Sequence, residues 1–400
     1  MYIINQYASS PEVGGGSRHF YIAKELIKHG HEVFLVTANF THLMHNPVDL
    51  KKNTFIKKIN NINYIYLKTF KYKESNDFIR IINWVIFSWR VSRLFKLITN
   101  KPEIIIVSTP SPFSFLGAFS LVKKFKSKFI YDIRDIWPLS IVELGGISPK
   151  NPIIIIMQWI EKKAYNNASL ITSTIPYAYE YLKTFGVGKD KFSCLPNGFD
   201  KDELLKKEKI KTSISSKIPK KKFIVGYIGS LGLANALHVL INAAKLLNDN
   251  KSIAFVVIGK GSELSNLKAQ VKFLNLINFY FIDQIPKKQI QPTLNLFDVC
   301  YLGWLNKTVY KFGVSPQKIP EYLFSGKPII HSYSGKGCPI NEANAGISVQ
   351  AEDPIAIKNA ILKLKKMDNF EREKLGKNGK NYCNKNYDYR VIARKLEKLF

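Results

Sequence analysis

The amino-acid sequence predicts an α/β protein in which two doubly wound domains face a central cleft. Its 400 residues exceed the roughly 100 to 200 residues of one typical domain. Short apolar runs rich in β-forming residues alternate with helix-length segments from end to end, which is typical of parallel strands joined by crossover helices. This alternation breaks once, in a polar, lysine-rich stretch that follows Gly198, and then resumes. We therefore expect two domains of similar size.

Twelve apolar runs are the predicted strands, six on each side of the break. In chain order they read YIINQY, EVFLVT, IIIVST, KFIYDIR, SLITST, FSCLPNG, FIVGYIGS, IAFVVIGKG, INFYFID, DVCYLGW, KPIIHSY and AGISVQ. We assign residues 1–200 to an amino-terminal domain, 201–221 to a linker and 222–382 to a carboxyl-terminal domain. Residues 383–400 are expected to form a helix that packs back on the amino-terminal domain. Doubly wound sheets bind ligands beyond the carboxyl ends of their strands, so the loops after these runs should carry the function.

The composition limits the classes of partner. Sixty Lys and Arg against thirty Asp and Glu give a formal net charge of +30, and such a field attracts nucleic acid, an anionic membrane or phosphorylated ligands. The basic residues are dispersed and form no nucleic-acid-binding motif. We therefore expect no nucleic-acid partner.

Cysteine spacing and hydropathy limit the compartment. The four cysteines are far apart and show no metal-ligand spacing, which predicts neither disulfides nor a metal site. No apolar run approaches the roughly 20 residues of a membrane span. The sequence also starts without the basic and apolar regions of a signal peptide. We expect a cytoplasmic protein that is neither secreted nor transmembrane.

A glycine-rich stretch, VGGGSRHF, lies between the first predicted strand and a helix whose apolar face closes at Gly30. Glycine lets a backbone approach a ligand closely, and the amides at a helix N-terminus favour an anion such as a diphosphate. The spacing does not fit the G-x-G-x-x-G pattern of dinucleotide-binding loops. A tight turn without a ligand is the alternative.

Three charged residues, Asp132, Arg134 and Asp135, alternate where a predicted strand ends in the stretch YDIRDIWP. Charges at a strand end are costly unless they are paired or in contact with water. They form either a structural ion-pair cluster or part of the cleft lining. Their position favours the cleft for Arg134 and Asp135.

The carboxyl-terminal domain repeats the glycine-rich design in the loop that contains Gly229. Further on, Lys311 and Lys318 flank a Ser-Pro turn, and Glu321 lies one turn inside the helix that begins there. Lysines near a helix start oppose the helix dipole, so a bound anion explains them better than stability does. A solvated basic face is the alternative.

Five motifs occur together in the order and spacing of one known family: GGGSRH, DIRDIWP, GSLGLANAL, GVSPQKIPEY with GKPII, and NEANAGISV. With them the chain resembles, over nearly its whole length, the family 4 glycosyltransferases of the GT-B fold, which has two Rossmann-like domains. The similarity is greatest to the subgroup that makes bacterial capsule chains and the O-antigen chains of lipopolysaccharide, which includes N-acetyl-L-fucosamine-type transferases.

The resemblance implies an enzyme that transfers a sugar from a nucleotide donor with retention of anomeric configuration, without a metal or another cofactor. It places the donor mainly on the carboxyl-terminal domain and the acceptor mainly on the amino-terminal domain. From the subgroup we expect a UDP-linked donor, for example an N-acetylated deoxyhexosamine. The expected acceptor is an undecaprenyl-diphosphate-linked saccharide, and the expected location is the inner face of the cell membrane.

Site residues are carried over by position. Glu321 matches the family's glutamate that accepts hydrogen bonds from the donor ribose, a task that suits a carboxylate on a rigid helix. The other donor-side residues are the two glycine loops beside the diphosphate and the lysines near it: Gly15, Gly16, Gly229, Ser230, Lys260, Lys311 and Lys318.

The sequence departs from the family pattern at two places. Gly313 occupies the position of a first glutamate that often contacts the donor sugar, and the loop after Gly229 lacks the usual basic pair. A lysine must therefore neutralise the leaving diphosphate. The candidates are Lys260, Lys311 and Lys318.

The implied mechanism is front-face substitution. In it the leaving diphosphate helps take the acceptor proton, and the enzyme positions both partners. No pair of carboxylates indicates a covalent mechanism of the glycosidase kind. The catalytic candidates are Lys318 at the diphosphate and Asp135 and His19 at the acceptor hydroxyl. On the acceptor side we also place Arg18, Arg134 and Trp137.

Residues 78–98 predict a helix with two tryptophans, apolar residues on more than one face, and Arg90, Arg93 and Lys96 along one flank. Such a helix can lie on an anionic bilayer. The alternative is a crossover helix buried against the sheet, and both descriptions can hold at once.

Two other functions remain open. A nucleotide-sugar 2-epimerase has the same two-domain architecture but would act on the donor without an acceptor, and the match to DIRDIWP argues against it. A non-catalytic, membrane-associated scaffold would explain the missing carboxylate at Gly313, whereas the intact Glu321 argues against it.

Overall fold

The structure, a computed structural model, describes residues 1–14, 16–73 and 77–400. These residues form two compact units. Unit 1 consists of residues 1–197 and 389–400, and unit 2 of residues 198–388. Each unit is built on a largely parallel sheet with helices between successive strands, as the alternation in the sequence predicts.

The sheet of unit 1 has eight strands within the described residues. They are β1 (Tyr2–Ile4), β2 (Phe34–Ala38), β3 (Thr54–Ile59), β4 (Ile62–Leu67), β5 (Ile104–Ser108), β6 (Lys128–Ile133), β7 (Leu170–Ser173) and β8 (Phe192–Cys194). Their order is β3-β4-β2-β1-β5-β6-β7-β8, and the neighbours are parallel except for the antiparallel pair β3 and β4. The strand order reverses between β1 and β5, so the loops after these two strands diverge at the position where doubly wound sheets bind ligands.

The β3–β4 hairpin is not among the elements that the sequence analysis predicts. Its two-residue connection is Asn60 and Asn61, with φ of 51° and 66°. Two-residue hairpin loops favour positive φ at both positions, and Asn adopts it more readily than most residues. The Asn-Asn pair before the apolar run INYIYL is the signal that would have identified the hairpin.

The helices of unit 1 before residue 198 are α1 (Arg18–Lys28), α2 (Ile79–Ser92), α3 (Ser114–Phe125), α4 (Leu139–Gly145), α5 (Pro152–Asn167) and α6 (Ala178–Leu182). Helices α2 and α5 each pack against α3, so the three form one layer. Helix α1 follows β1 and buries Phe20, Ala23 and Leu26 in the core that also contains Ile3 and Ile106 of the sheet. This packing fixes the start of α1 beside the loops at the carboxyl edge of the sheet.

The sheet of unit 2 has six parallel strands within the described residues. They are β9 (Phe223–Ile228), β10 (Ile253–Ile258), β11 (Phe279–Ile282), β12 (Val299–Gly303), β13 (Ile329–Ser332) and β14 (Gly346–Val349). Their order is β11-β10-β9-β12-β13-β14, again with a reversal, here between β9 and β12. Strands β9 and β10 are buried throughout, as expected for a parallel sheet with both faces covered.

The helices of unit 2 are α7 (Lys201–Leu205), α8 (Thr212–Ser215), α9 (Leu237–Lys245), α10 (Leu264–Phe273), α11 (Lys287–Leu294), α12 (Lys318–Ser325), α13 (Pro339–Glu342), α14 (Pro354–Lys366) and α15 (Asn369–Asn386). The short helices α7 and α8 lie in residues 201–221, the predicted linker, and these residues are part of unit 2.

The chain returns to unit 1 at its end. The last helix, α16 (Tyr389–Glu397), packs against α1, and the ring of Tyr389 stacks on Tyr21 with centroids 5.1 Å apart. The carboxylate of Glu397 lies 2.8 Å from the Nε2 atom of His31. These contacts hold the carboxyl terminus on unit 1.

Residues 1–14, 16–73 and 77–400 contain neither a membrane-spanning helix nor a cluster of metal ligands. No helix there is both long and apolar enough to cross a bilayer. No group of three or more His, Cys, Asp or Glu side chains there has the arrangement of a metal site.

Candidate active site

The polar edge of unit 1 is organised around the buried carboxylate of Asp132, at the end of β6. It accepts hydrogen bonds of 2.8 Å from the hydroxyls of Ser108 on β5 and Thr172 on β7. Burial alone would raise the pKa of Asp132, but His19, Arg18 and the Ser108 hydroxyl hold it well below the usual value of an aspartate. Asp132 is therefore a fixed negative charge under the loops of this edge.

His19 lies against this carboxylate and is itself buried. Its Nε2 atom is 3.7 Å from Asp132 Oδ2, and neither ring nitrogen has a hydrogen-bond partner among the described residues. Burial, assisted by the charges of Arg134 and Arg18, lowers the pKa of His19 to about 4. The residue is thus a neutral imidazole enclosed behind Asp132 rather than a group on the surface of the site.

Arg18, the first residue of α1, is fully enclosed as well. Its two terminal nitrogens donate to the backbone carbonyls of Leu195 and Pro196, beyond β8, and one of them lies 4.0 Å from Asp132. The guanidinium ties the start of α1 to the last strand of the sheet. Its contacts are those of a residue that holds the site in shape.

Gly16, Arg134 and Asp135 lie closer to the surface. The carbonyl of Gly16 accepts a hydrogen bond from Ser9, and Arg134 Nη1 lies 3.6 Å from where a side chain at Gly16 would begin. The backbone amide of Arg134 donates to Thr109 Oγ1 at 2.8 Å. The guanidinium of Arg134 is half-buried beside the glycine loop, and Asp135 is exposed. Gly15, another predicted donor-side residue, lies outside the described residues.

Trp137, the remaining residue predicted for unit 1, packs edge-on against Trp84 of α2 with ring centroids 5.5 Å apart. It is half-buried and follows Asp135 by two residues. Unit 1 therefore brings together a glycine loop, a half-buried guanidinium, an exposed carboxylate and an aromatic ring at the carboxyl edge of its sheet.

The corresponding edge of unit 2 is organised around Lys318, the first residue of α12. Its ammonium donates to the hydroxyl of Tyr227 at 2.6 Å and to Asn235 Oδ1, and it lies 4.6 Å from the centroid of the Tyr227 ring. Burial lowers the pKa of Lys318 to about 7, although the Glu321 carboxylate acts in the opposite direction. The ammonium is thus fixed in position by its hydrogen bonds, and it loses its proton at a lower pH than an exposed lysine does.

Tyr227 and Asn235 are functional candidates that the sequence analysis does not identify. Both also bond to the backbone carbonyl of Ser230, Tyr227 through its hydroxyl and Asn235 through its amide nitrogen. They thereby link Lys318 to the exposed Ser230 and the glycine loop. Asn235 in the motif GSLGLANAL was the available signal, because a polar side chain shortly after a glycine loop is well placed to bond across it.

Gly229 fits this network through its small size. A Cβ atom at Gly229 would lie 2.8 Å from Lys318 Cδ and 3.2 Å from its Nζ. The stem of Lys318 therefore occupies the space that a side chain on the loop would need. The glycine at position 229 therefore provides the space in which the Lys318 side chain packs.

Glu321 lies one turn further along α12 and is half-buried. Its backbone carbonyl accepts a hydrogen bond of 2.8 Å from Gln291 of α11, which fixes this part of the helix. Burial raises the pKa of Glu321, while the positive charges of Lys287 and Lys318 oppose the shift. Lys318 and Glu321 thus present a cation and a carboxyl group from successive turns of one helix.

Lys260 and Lys311 are exposed, the first after β10 and the second in the short 3-10 helix Thr308–Phe312. Gly313 follows that helix with φ of 111° and ψ of 166°. This backbone conformation is essentially confined to glycine. A glutamate at position 313 would therefore require a different backbone conformation. The replacement of the family's first glutamate by Gly313 is thus matched by the local backbone.

Comparisons with known proteins agree with this architecture. Residues 13–203 match the model of Glycosyltransferase Family 4, and residues 208–382 match the model of Glycosyl transferases group 1. Only residues 1–12, 204–207 and 383–400 lie outside the two matches. The two units are the domains of a glycosyltransferase.

This glycosyltransferase is similar to solved structures over its whole length. Sucrose-phosphate synthase of Thermosynechococcus elongatus is 17% identical with a TM-score of 0.76, covering 100% of this chain and 97% of that chain. HepE of Anabaena in complex with UDP and glucose is 14% identical with a TM-score of 0.68, covering 100% and 98%. A glycosyltransferase of Rickettsia africae is 14% identical with a TM-score of 0.68, covering 100% and 96%. At these identities the likeness is one of fold, and it confirms the predicted GT-B fold.

A curated relative matches a smaller part of the chain. An uncharacterized glycosyltransferase of Methanocaldococcus jannaschii is 25% identical over 187 residues, which is 45% of this chain and 45% of the relative. The glycosyltransferase thus spans less than half the length of the curated relative that it matches.

The conformation of Gly313 makes a prediction about stability. Gly313→Ala should lower the free energy of unfolding by about 1 to 3 kcal/mol, because an L side chain is strained at this φ and ψ. Gly232→Ala is the matched control, since Gly232 has φ of −108° and a Cβ there would meet nothing nearer than 3.8 Å. Urea denaturation of both variants measures the difference. Equal midpoints for the two variants would contradict the argument.

Proposed function

We propose that the protein is a retaining glycosyltransferase that moves a sugar from a nucleotide-sugar donor to a lipid-linked saccharide in capsule or O-antigen synthesis. Unit 2 would hold the donor and unit 1 the acceptor. The donor we propose is UDP-linked, with an N-acetylated deoxyhexosamine as the expected sugar. The motifs of the sequence support the subgroup, and the similarity to HepE, whose structures contain UDP and UDP-glucose, supports the nucleotide.

The observation that carries the proposal is the pairing of Lys318 and Glu321 at the start of α12, beside the Gly229 loop. A carboxylate can accept hydrogen bonds from two ribose hydroxyls at once. An ammonium one turn earlier then lies near the diphosphate attached to that ribose. Lys318 donates to two neutral oxygens, so below a pH of about 7 its positive charge is available to a diphosphate.

The reaction would proceed on one face of the donor sugar. The acceptor oxygen forms a bond to the anomeric carbon while the bond from that carbon to the diphosphate oxygen breaks, and the hydroxyl proton passes to the leaving diphosphate. Lys318 would stabilise the negative charge that develops on this leaving group. No protein carboxylate is needed as a nucleophile, and none is assigned.

On the acceptor side, Asp135 is the residue that we propose to contact the reacting hydroxyl, because its carboxylate is exposed at the edge of unit 1. His19 would act indirectly, as a neutral group that supports Asp132 from behind. Arg134 and Trp137 would line the acceptor site, and Arg18 would maintain its shape through the carbonyls it binds.

We further propose that the layer of α2, α3 and α5 rests on the inner face of the cell membrane. One side of α2 is buried and includes Trp84 and Phe87. The outer side of the layer is apolar and exposed, with these residues: Phe78, Ile82, Val85, Trp89, Leu116, Ile155, Ile156 and Trp159. Helix α2 is thus both a packed crossover helix and a surface that a bilayer could cover.

Cations paired with aromatic rings border this apolar surface. Arg93 lies 4.3 Å from the ring centroid of Trp89, and Lys163 lies 4.1 Å from that of Trp159. Aromatic rings favour the level of the lipid headgroups, and basic residues near an anionic leaflet each contribute about 1 kcal/mol of attraction. The arrangement supports a peripheral membrane protein with a lipid-linked substrate.

The role of Glu321 can be tested by donor-nucleotide binding. Glu321→Ala should weaken the binding of UDP at least tenfold, consistent with the roughly 1.5 to 3 kcal/mol of a hydrogen bond to a charged group. Glu321→Gln keeps one acceptor oxygen and should lose less. Titration calorimetry measures both, with Glu373→Ala on the exposed face of α15 as the control. Unchanged UDP affinity in Glu321→Ala would refute the ribose assignment.

The role of Lys318 can be tested by turnover. Lys318→Ala should lower kcat for the donor about a hundredfold, near 2.7 kcal/mol of transition-state stabilisation, with a smaller change in donor affinity. Arg at this position should restore part of the rate and Gln little. Lys327→Ala, two residues beyond the end of the same helix, is the control. Near-normal turnover in Lys318→Ala would move the stabilising charge to Lys260 or Lys311.

The pH dependence supplies a second readout for the same residue. Because the pKa of Lys318 in the free protein is about 7, the ammonium is present below that pH and is lost above it. The ratio kcat/KM for the donor should therefore fall as the pH rises through about 7. In Lys318→Arg this fall should disappear, since a guanidinium stays protonated.

The membrane surface can be tested by flotation with phosphatidylglycerol vesicles. The double variant Val85→Glu, Trp89→Glu should lose vesicle binding with little change in Tm, because both side chains are about half exposed, at 52% and 51%. Arg90 is left in place, since its guanidinium donates to the carbonyl of Asn53. Phe273→Glu, an equally drastic change on unit 2, should still bind. Normal flotation of the double variant, or its unfolding, would show that the surface does not meet a bilayer.

A further inference from the structure

Arg80, at the start of α2, lies in an aromatic cluster and has no role in the transfer as proposed above. The guanidinium carbon of Arg80 lies 5.7 Å from the ring centroid of Tyr7, 5.5 Å from that of Trp84 and 5.4 Å from that of Trp137. The three rings come from three places: the loop after β1, the helix α2 and the loop after β6. Cation–π attraction strengthens as the cation is desolvated. The Arg80 side chain is therefore held by three different segments at this edge of the sheet.

The hydroxyl of Tyr7 fixes the orientation of the guanidinium. It lies 3.1 Å from Arg80 Nε and 2.8 Å from the indole nitrogen of Trp84, and both of these nitrogens donate to it. The Arg80 guanidinium is planar, and its Nε atom and three rings already restrict its rotamers. Binding a ligand therefore costs this side chain little additional conformational entropy. Arg80 also affects its neighbours: burial first, and the charge of Arg80 second, lower the pKa of His42.

The position of Arg80 connects two surfaces of unit 1. Phe78, two residues earlier, begins the exposed apolar surface of α2. Trp137, whose ring centroid lies 5.4 Å from the guanidinium carbon, follows Asp135 by two residues. Arg80 thus adjoins the start of the apolar surface along the chain and, through Trp137, the segment that carries the carboxylate proposed for the acceptor hydroxyl. A lipid-linked saccharide likewise has a diphosphate between a hydrocarbon chain and a sugar.

We propose that Arg80 binds the diphosphate that joins the acceptor's lipid to its saccharide. The inference rests on the proposed function, because a lipid-linked acceptor brings to unit 1 a second diphosphate besides that of the donor. Guanidinium groups bind phosphate oxygens through two parallel hydrogen bonds, which gives both strength and orientation. With its diphosphate at Arg80, the acceptor enters with its lipid on the side of Phe78 and its sugar on the side of Asp135.

The test uses farnesyl diphosphate and farnesol as probes of the full-length protein, with binding measured by calorimetry. Arg80→Gln should weaken farnesyl diphosphate binding at least tenfold and leave farnesol binding unchanged. Arg80→Lys keeps the charge but not the planar fork and should lose less. Arg394→Gln is the matched control, because Arg394 is an exposed arginine on α16 of the same unit. Its affinity for farnesyl diphosphate should equal that of the unmodified protein.

A nucleotide arm separates this site from the one on unit 2. Arg80→Gln should leave UDP affinity unchanged, while Glu321→Ala should lower UDP affinity and leave farnesyl diphosphate binding intact. Unchanged farnesyl diphosphate binding in Arg80→Gln, or an equal loss of farnesol binding, would overturn the assignment. Should Arg80→Gln not fold, full affinity in Arg80→Lys would overturn it as well. Failure of the proposed donor site would instead appear as normal UDP binding in Glu321→Ala, and the Arg80 result could still be interpreted by itself.

Discussion

The buried carboxylate of Asp132 is the constraint on which the edge of unit 1 depends. A carboxylate removed from water is costly unless hydrogen bonds and opposite charges compensate it. Here the compensation comes from both neighbouring strands, through the hydroxyls of Ser108 and Thr172, and from the start of α1, through the charge of Arg18. Because these partners lie on three different segments, satisfying one charge sets the position of the glycine loop, of α1 and of the exposed residues that follow β6.

Unit 2 handles a buried charge differently. Lys318 has three N–H donors, and its two hydrogen-bond partners, Tyr227 and Asn235, are neutral. Its nearest electrostatic counterpart is Glu321, which raises the pKa of the ammonium but does not prevent the net downward shift caused by burial. The negative charge of Asp132 is compensated by its surroundings, whereas the positive charge of Lys318 is only partly compensated. A partly compensated cation is expected where an anion binds, and ionisable groups with perturbed pKa values are concentrated at functional sites.

The sequence predicts the fold and the location of the sites better than the contacts within them. Alternating apolar runs identify the parallel strands, since a strand buried on both faces must be apolar throughout. The β3–β4 hairpin is missed because its first strand, TFIKKI, is largely exposed and reads as polar. Glu321 and Lys318 are found through a motif on one helix. Tyr227 and Asn235 are missed because they meet Lys318 from positions 91 and 83 residues away in the chain, and no local pattern encodes that meeting. Arg18 and His19 have chemically suitable side chains, but only the structure reveals that both are enclosed.

The two departures from the family pattern can be understood as one arrangement. The loop after β9 carries no basic pair, and a side chain at Gly229 would collide with the stem of Lys318. The positive charge of this edge is therefore on α12, and the loop leaves space for it. Gly313, which precedes α12, has a backbone conformation that excludes a glutamate, so no second carboxylate from that position competes for the ammonium. An uncharged loop, a glycine at position 313 and a lysine at the helix start are therefore mutually consistent.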